Sequence, residues 1–314
     1  MAGSPAAAFE CKLASSKAEK AICGDPAARA ADAGMAAAYG ALSHSLDGKQ
    51  RTALAKAQGR WLTTRDDTCG DQDGGKLAAC LADQSARRGA FLSGSAQAGP
   101  GAAGGLTPFF RIEAGGKGRA DIDIEVLRFP RPANPAERAF NAAVDRLSNT
   151  VEQPGSDDPQ ADNYAFSWTM RLAYGSPRLM SAHAEGYAST GAAYPNTSSA
   201  DINIDVRAGR EATFASLLDG PAARRIFALC SDQVAAEKKR REGADAALDA
   251  DARRQLRQNV DTVTGDLKSW SFGAEAATVS YDPGAVGVHA EGAFTCEIPY
   301  ATLRPLARRD FPLP

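Results

Sequence analysis

The sequence predicts an α+β protein in two parts. A small, disulfide-stapled, all-helical N-terminal domain covers residues 9–92, and an α+β domain with a mainly antiparallel sheet packed by helices covers 106–314. Three observations carry this. Four of the six cysteines fall within the first 80 residues, where apolar side chains recur at helical spacing. Residues 93–105 hold no bulky side chain and read as a linker. From Thr107 onward apolar and polar residues alternate as they do in strands, and the helical patterns are grouped, as in α+β folds.

In the first part, Ser16 with Glu19 three residues on predicts a capped short helix to about Cys23. A second helix starts near Pro26 and carries Met35, Tyr39, Leu42 and Leu46 on one face. A third runs from about Lys49 to Thr68 with Leu54, Trp61 and Leu62 inward, and a fourth carries Leu77, Leu81 and Leu92. Short loops make successive helices antiparallel neighbours. That arrangement brings Cys69 near Cys23 and leaves Cys11 for Cys80, although four cysteines allow about three pairings. The linker at 93–105 has an expected span of about 20 Å, so the two domains need not pack firmly together.

In the second part, Ile122, Ile124 and Val126 alternate with Asp121, Asp123 and Glu125, a half-buried strand with an acidic outer face. Leu127 and Phe129 break the phase and predict a bulge. A helix over 136–152 precedes a long strand from Tyr164 to Tyr174, a strand over 178–189, and one carrying Ile202, Ile204 and Val206. Helices over 220–241 and 245–264 and strands over 269–281 and 293–298 complete the pattern. Cys230 lies on the apolar side of its helix and Cys296 in phase with Phe294 and Ile298, so a Cys230–Cys296 bond would pin helix to sheet.

Composition excludes several classes of function. The formal net charge is −2, so no whole-chain field favours nucleic acid. No apolar run approaches the roughly 20 residues that span a bilayer. There is no G-x-S-x-G, H-E-x-x-H or P-loop pattern, no C-x-x-C pair, and only three scattered histidines. No enzyme, cofactor or metal is therefore expected. Paired cysteines, and an N-terminus of small residues like those that follow a removed export signal, place the chain in the periplasm or outside the cell.

Candidate binding residues are of three kinds. Trp61 and Arg65, followed by Asp66 and Asp67, form either a polar edge or an ion pair beside a core tryptophan. The segment from Ser189 to Ser199 places Tyr194, Pro195 and Asn196 in a turn between strands, where a rigid aromatic tip could enter a cleft. A second loop runs from Tyr281 through His289 and Glu291, residues able to meet a cationic or sugar partner. Residues 119–220 carry an excess of five acidic side chains, which on an open face would attract a basic protein.

The residues over 9–92 also resemble a known family. Cys11, Ala18-Glu19-Lys20-Ala21-Ile22-Cys23, Asp32, Tyr39, Gln58-Gly59-Arg60-Trp61-Leu62, Arg65-Asp66, Cys69, Cys80 and Arg88 are similar to the pattern of the LprI-like lysozyme inhibitors. Across 107–310, Gly191 to Asn196, Ile204-Asp205, Gly209-Arg210-Glu211, Leu217-Leu218, Val279 to Pro283, Val286 to Gly292 and Ile298-Pro299-Tyr300 resemble the lysozyme-binding extracellular domain of RsiV-type anti-sigma factors. Tyr194 stands where that family usually has His. The two resemblances imply an exported protein that binds a lysozyme-type muramidase and obstructs its glycan cleft. A module binding peptidoglycan or an envelope protein is the alternative, and a cell-wall glycan enzyme a weaker one.

Overall fold

The computed structural model describes residues 10–101, 105–116, 118–151, 163–191, 195–242 and 249–314. Four helices come first: α1 (Lys17–Gly24), α2 (Pro26–Ser45), α3 (Gly48–Gly70) and α4 (Gly74–Leu92). The Ser16 hydroxyl accepts from the Glu19 N–H while the Glu19 carboxylate accepts from the Ser16 N–H, which closes both ends of a capping box. Asp25 and Asp47 cap α2 and α3 in the simpler way, each accepting one backbone N–H.

The bonded cysteines are Cys11–Cys23 and Cys69–Cys80, with Cα separations of 5.6 and 5.8 Å. This corrects the expected Cys23–Cys69 and Cys11–Cys80 pairing. That expectation took consecutive helices as neighbours, whereas α2 packs chiefly on α4 and α1 also lies on α4. A 3-10 turn at Cys11–Leu13 folds the chain back beside the end of α1. The tight α3–α4 turn likewise brings Cys69 within reach of Cys80. Each bond closes a local loop.

The remaining elements are β1 (Thr107–Glu113), β2 (Asp121–Arg128), α5 (Pro135–Ser148), β3 (Tyr164–Gly175), β4 (Leu179–Thr190), β5 (Asn196–Asp205), β6 (Arg210–Glu211), α6 (Phe214–Leu217), α7 (Gly220–Glu242), α8 (Ala250–Thr264), β7 (Trp270–Phe272), β8 (Ala276–Tyr281), β9 (Phe294–Pro299) and α9 (Tyr300–Leu303). Strands β1 to β6 form one sheet in sequence order and β7 to β9 a second. Among the described residues only β2 and β3 pair in parallel, because α5 carries the chain across between them. The fold is thus a disulfide-bonded helical domain followed by an α+β domain whose sheets are mainly antiparallel.

One face of the large sheet is apolar. Ile122, Ile124, Phe166, Met170, Ala182, Ala184, Ile202 and Ile204 pack there against Phe140, Val144 and Leu147 of α5. Gly186 faces Trp168 across the β3–β4 pair, and a Cβ at that position would lie 2.6 Å from the indole ring. The indole therefore lies flat over a strand that carries no side chain there. The predicted bulge at Leu127 is absent, since β1 and β2 pair without a break there. The irregularity lies in β3 between Leu172 and Tyr174. Leu127 breaks the alternation because the helices bury that end of β2 on its second face as well.

The helical domain is joined firmly to the sheet. Met35, Leu42, Leu54, Phe91 and Leu92 belong to the same apolar cluster as Phe110, Leu127 and the sheet core, and Phe91 meets Phe110 edge-on at 6.0 Å. The Gln50 side chain of α3 closes the outer edge of β1, donating to the Phe110 carbonyl at 2.8 Å and accepting its N–H at 3.1 Å. The expectation of a loose linker is corrected over its described residues. The Gln97 N–H donates to the Leu172 carbonyl, the Gly101 N–H to the Gly175 carbonyl, and the Gly175 N–H to the Ala98 carbonyl. Small side chains here allow the connector to lie along β3.

The second sheet packs under α7 and α8, around Ile226, Val234, Val260, Trp270, Phe272 and Val279. A disulfide joins Cys230 of α7 to Cys296 of β9.

Candidate functional site

Strand register places a polar grid on the other face of the large sheet. Adjacent strands align Asp123, Ser167, Tyr187 and Thr197 in one row. Glu125, Thr169, Glu185 and Ser199 form the next, and Arg171, His183 and Asp201 a third. This face is walled at both ends. At the β2 end the helical domain presents arginines to the acidic residues. The Arg88 guanidinium donates to Glu125 at 2.5 Å and to Gln58 at 3.1 Å, while Arg60 donates to Asp123 at 2.6 Å. Arg88 also lies over the Trp61 and Phe91 rings, at 5.6 and 5.2 Å. The acidic stripe of β2 is therefore a docking surface for α3 and α4, which corrects its reading as an open acidic face. Asp201, at the other end of the grid, is also buried.

At the β5 end the second sheet leans over the grid. Asn203 donates to the Leu267 and Trp270 carbonyls at 2.9 and 2.7 Å, and the Ser181 hydroxyl accepts the Phe272 N–H at 2.9 Å. The Asp282 carboxylate accepts the Ser199 N–H and hydroxyl at 2.9 and 2.7 Å. Between the two walls the floor of β3 and β4 stays open. Cavities of 730 and 510 Å³ lie on it and share Gln97, Ser167, Thr169, Arg171 and Glu185, so they form one continuous groove. A volume of this order suits a small ligand or a short segment of a larger one.

The groove floor holds a compact charge cluster. His183 Nδ1 lies 2.9 Å from the Asp201 carboxylate and its Nε2 lies 3.5 Å from Glu185. Burial alone would depress the imidazole pKa, but the two carboxylates outweigh burial and raise it from 6.5 to about 9. His183 is thus an imidazolium at neutral pH. Because its folded pKa is raised, its contribution to stability is complete below pH 6.5 and is lost as pH rises through 9. Denaturation midpoints are expected to fall over that window in the native chain and to fall less in His183→Gln. An NMR titration showing His183 neutral at pH 7 would overturn this.

The residues singled out in the sequence do not form one site. Trp61 is half-buried in the groove wall, with Arg65 over its ring at 5.3 Å. Arg65 is buried and bonded to Asp32 at 3.2 Å and Asp66 at 2.8 Å, so it holds α3 to α2 and is not presented to a partner. Pro195 and Asn196 are exposed at the start of β5, and Tyr194 lies outside the described residues. Tyr281 is corrected outright. It is fully buried, because β8 alternates Ala277, Val279 and Tyr281 into the core, and its hydroxyl bonds Thr264 at 2.7 Å. Burial raises its pKa to about 12. His289 is exposed. Glu291 is taken up by an ion pair with buried Lys238 and by the Val288 N–H at 3.1 Å. Burial opposes ionisation there, but these two contacts together hold its carboxyl below the usual range. Arg171, Glu185 and Tyr187 were missed. Their one signal was a charge or hydroxyl at alternate positions of strands otherwise read as core.

The arrangement is a two-walled polar groove between the helical domain and the second sheet. Residues 11–92 match the model of the family described as lysozyme inhibitor LprI. No curated protein matches the chain. Among solved structures, a DUF3298-family member from Bacteroides fragilis is similar at 11% identity. It covers 65% of this chain and 94% of its own, with a TM-score of 0.48. A DUF3298-family protein from Pseudomonas aeruginosa PAO1 is similar at 16% identity, covering 67% and 94%, with a TM-score of 0.37. Among the described residues no helix is long and apolar enough to cross a membrane, and no group of three or more His, Cys, Asp or Glu side chains could hold a metal ion.

Proposed function

We propose that this is an exported envelope protein that binds a lysozyme-type muramidase and inhibits it. The lysozyme-inhibitor match over residues 11–92 carries the reading. Three disulfides and no free cysteine among the described residues support a location outside the cytosol, in the periplasm or beyond it. The resemblance of the second domain to RsiV-type ectodomains supports the same partner from a second direction. The β4–β5 hairpin, with Pro195 and Asn196 exposed beside Tyr194, is the element proposed to enter the glycan cleft.

The test is inhibition of a panel of animal and phage lysozymes by the full chain. At least one enzyme is expected to be inhibited. The double variant Tyr194→Ala/Asn196→Ala is expected to weaken inhibition about tenfold or more, as loss of a central contact does. Failure to bind any member at micromolar concentration and low salt would overturn the proposal. With the acidic stripe of β2 covered, association is expected to depend only weakly on salt.

A further inference from the structure

We propose that the groove between the helical domain and the second sheet is a separate binding site for a small monocarboxylate that also bears hydroxyl or amide groups, and that Arg171 holds the carboxylate. This goes beyond muramidase binding and does not depend on it.

The arginines around the groove differ in whether a carboxylate pairs with them. Around the groove, Arg60 is bonded to Asp123, Arg65 to Asp32 and Asp66, Arg87 to Asp83, and Arg88 to Glu125. Arg171 projects from β3 into both halves of the groove, yet among the described residues its guanidinium has no hydrogen bond or ion pair. The carboxylates nearest to it do not serve it. Asp201 is bonded to His183, and Glu185 is drawn to the other nitrogen of the same ring. A half-buried guanidinium with no carboxylate partner keeps its fork of donors available to the groove, and a ligand carboxylate is the group that fits that fork. Burial lowers the Arg171 pKa, as expected for a cation awaiting a counter-ion.

The surroundings narrow the ligand. Glu185 and Asp201 flank Arg171, while His183 and Arg87 supply the opposing charge. A dianion such as a phosphate monoester would meet two carboxylates, whereas a single carboxylate is matched by one guanidinium. Ser167 and Thr169 beside Arg171 offer hydroxyls, and the Gln97 side chain offers an amide. Tyr187, 40% exposed, offers a ring against which a sugar or acyl face can lie. A sugar acid or the C-terminal end of a short acylated peptide satisfies these contacts, and both share the same carboxylate chemistry.

The test is an NMR titration of the full chain that follows the Arg171 Nε–H resonance. The probes are N-acetylmuramic acid, N-acetylglucosamine and N-acetyl-dialanine. The first two differ by the lactyl ether that carries the carboxylate. A saturable shift with N-acetylmuramic acid and none with N-acetylglucosamine supports the site. A shift with N-acetyl-dialanine alone also supports it and identifies the peptide as the source of the carboxylate. Arg171→Met is expected to weaken binding about tenfold or more. Glu185→Gln, at a side chain 70% exposed, is expected to tighten it several-fold (~3-fold) by removing a like charge beside the ligand. No saturable shift with either carboxylate, equal binding of N-acetylglucosamine, or unchanged binding by both variants would overturn the proposal. Lysozyme is absent from the experiment, so its outcome is distinct from that of the inhibition test.

Discussion

Replacing Arg88 with Met is expected to destabilise the protein by about 3–5 kcal/mol, because it strands a buried carboxylate. Glu125 and Arg88 are both buried, and Arg88 is the only cation within bonding distance of Glu125 among the described residues. Burial already pushes the Glu125 carboxyl up, with Arg88 opposing it. Removing Arg88 leaves only the more distant Arg60 to oppose burial. The same residue also stacks on Trp61 and Phe91, so the substitution also weakens packing between α3 and α4. The measurement is urea denaturation of the full chain. The double variant Arg88→Met/Glu125→Leu is expected to recover most of the loss, since apolar pairs often replace buried ion pairs at little cost. A single-variant effect below about 1 kcal/mol would show that the pair does not hold the two domains together.

Removing the disulfide between Cys230 and Cys296, by substituting both with Ala, is expected to cost about 4 kcal/mol. The bond closes a loop with a sequence separation of 66, against 12 and 11 for the two in the helical domain. On chain-entropy grounds the longer loop gains the larger benefit, and each short one is worth about 3 kcal/mol. Both sulfurs are fully buried, among Ile226, Val234, Phe294 and Ile298, so their loss also leaves space in the core. Denaturation of the double variant beside the native chain measures the effect. A cost no greater than that of removing Cys11–Cys23 would contradict the loop-length argument.

Much of the architecture was legible in the residues. Helical spacing marked all four N-terminal helices, and alternation marked the strands from Ile122 to Val206. The misses have specific causes. The cysteine pairing depends on which helices touch, and periodicity reports a helix face without naming its partner. Asp121, Asp123 and Glu125 alternate as a solvated face would, and only the tertiary placement of Arg60 and Arg88 shows that Asp123 and Glu125 are covered. Tyr281 looked available because it borders a loop rich in Pro and Gly, yet strand phase carries it inward. The groove was illegible for a related reason. Arg171, His183 and Asp201 lie on three strands up to 30 positions apart, and only the register brings them into one row.

The shared packing of Phe91, Phe110 and Leu127 has a consequence for how the chain can be divided. A fragment ending at Leu92 would carry a raw greasy surface and two unmatched cations, Arg60 and Arg88, where the sheet used to be. Its affinity for any protein in an assay would reflect that wound as much as its native surface. The two halves resemble the parts of a mortise joint more than beads on a thread, and grafting either onto a foreign neighbour would require remaking the joint.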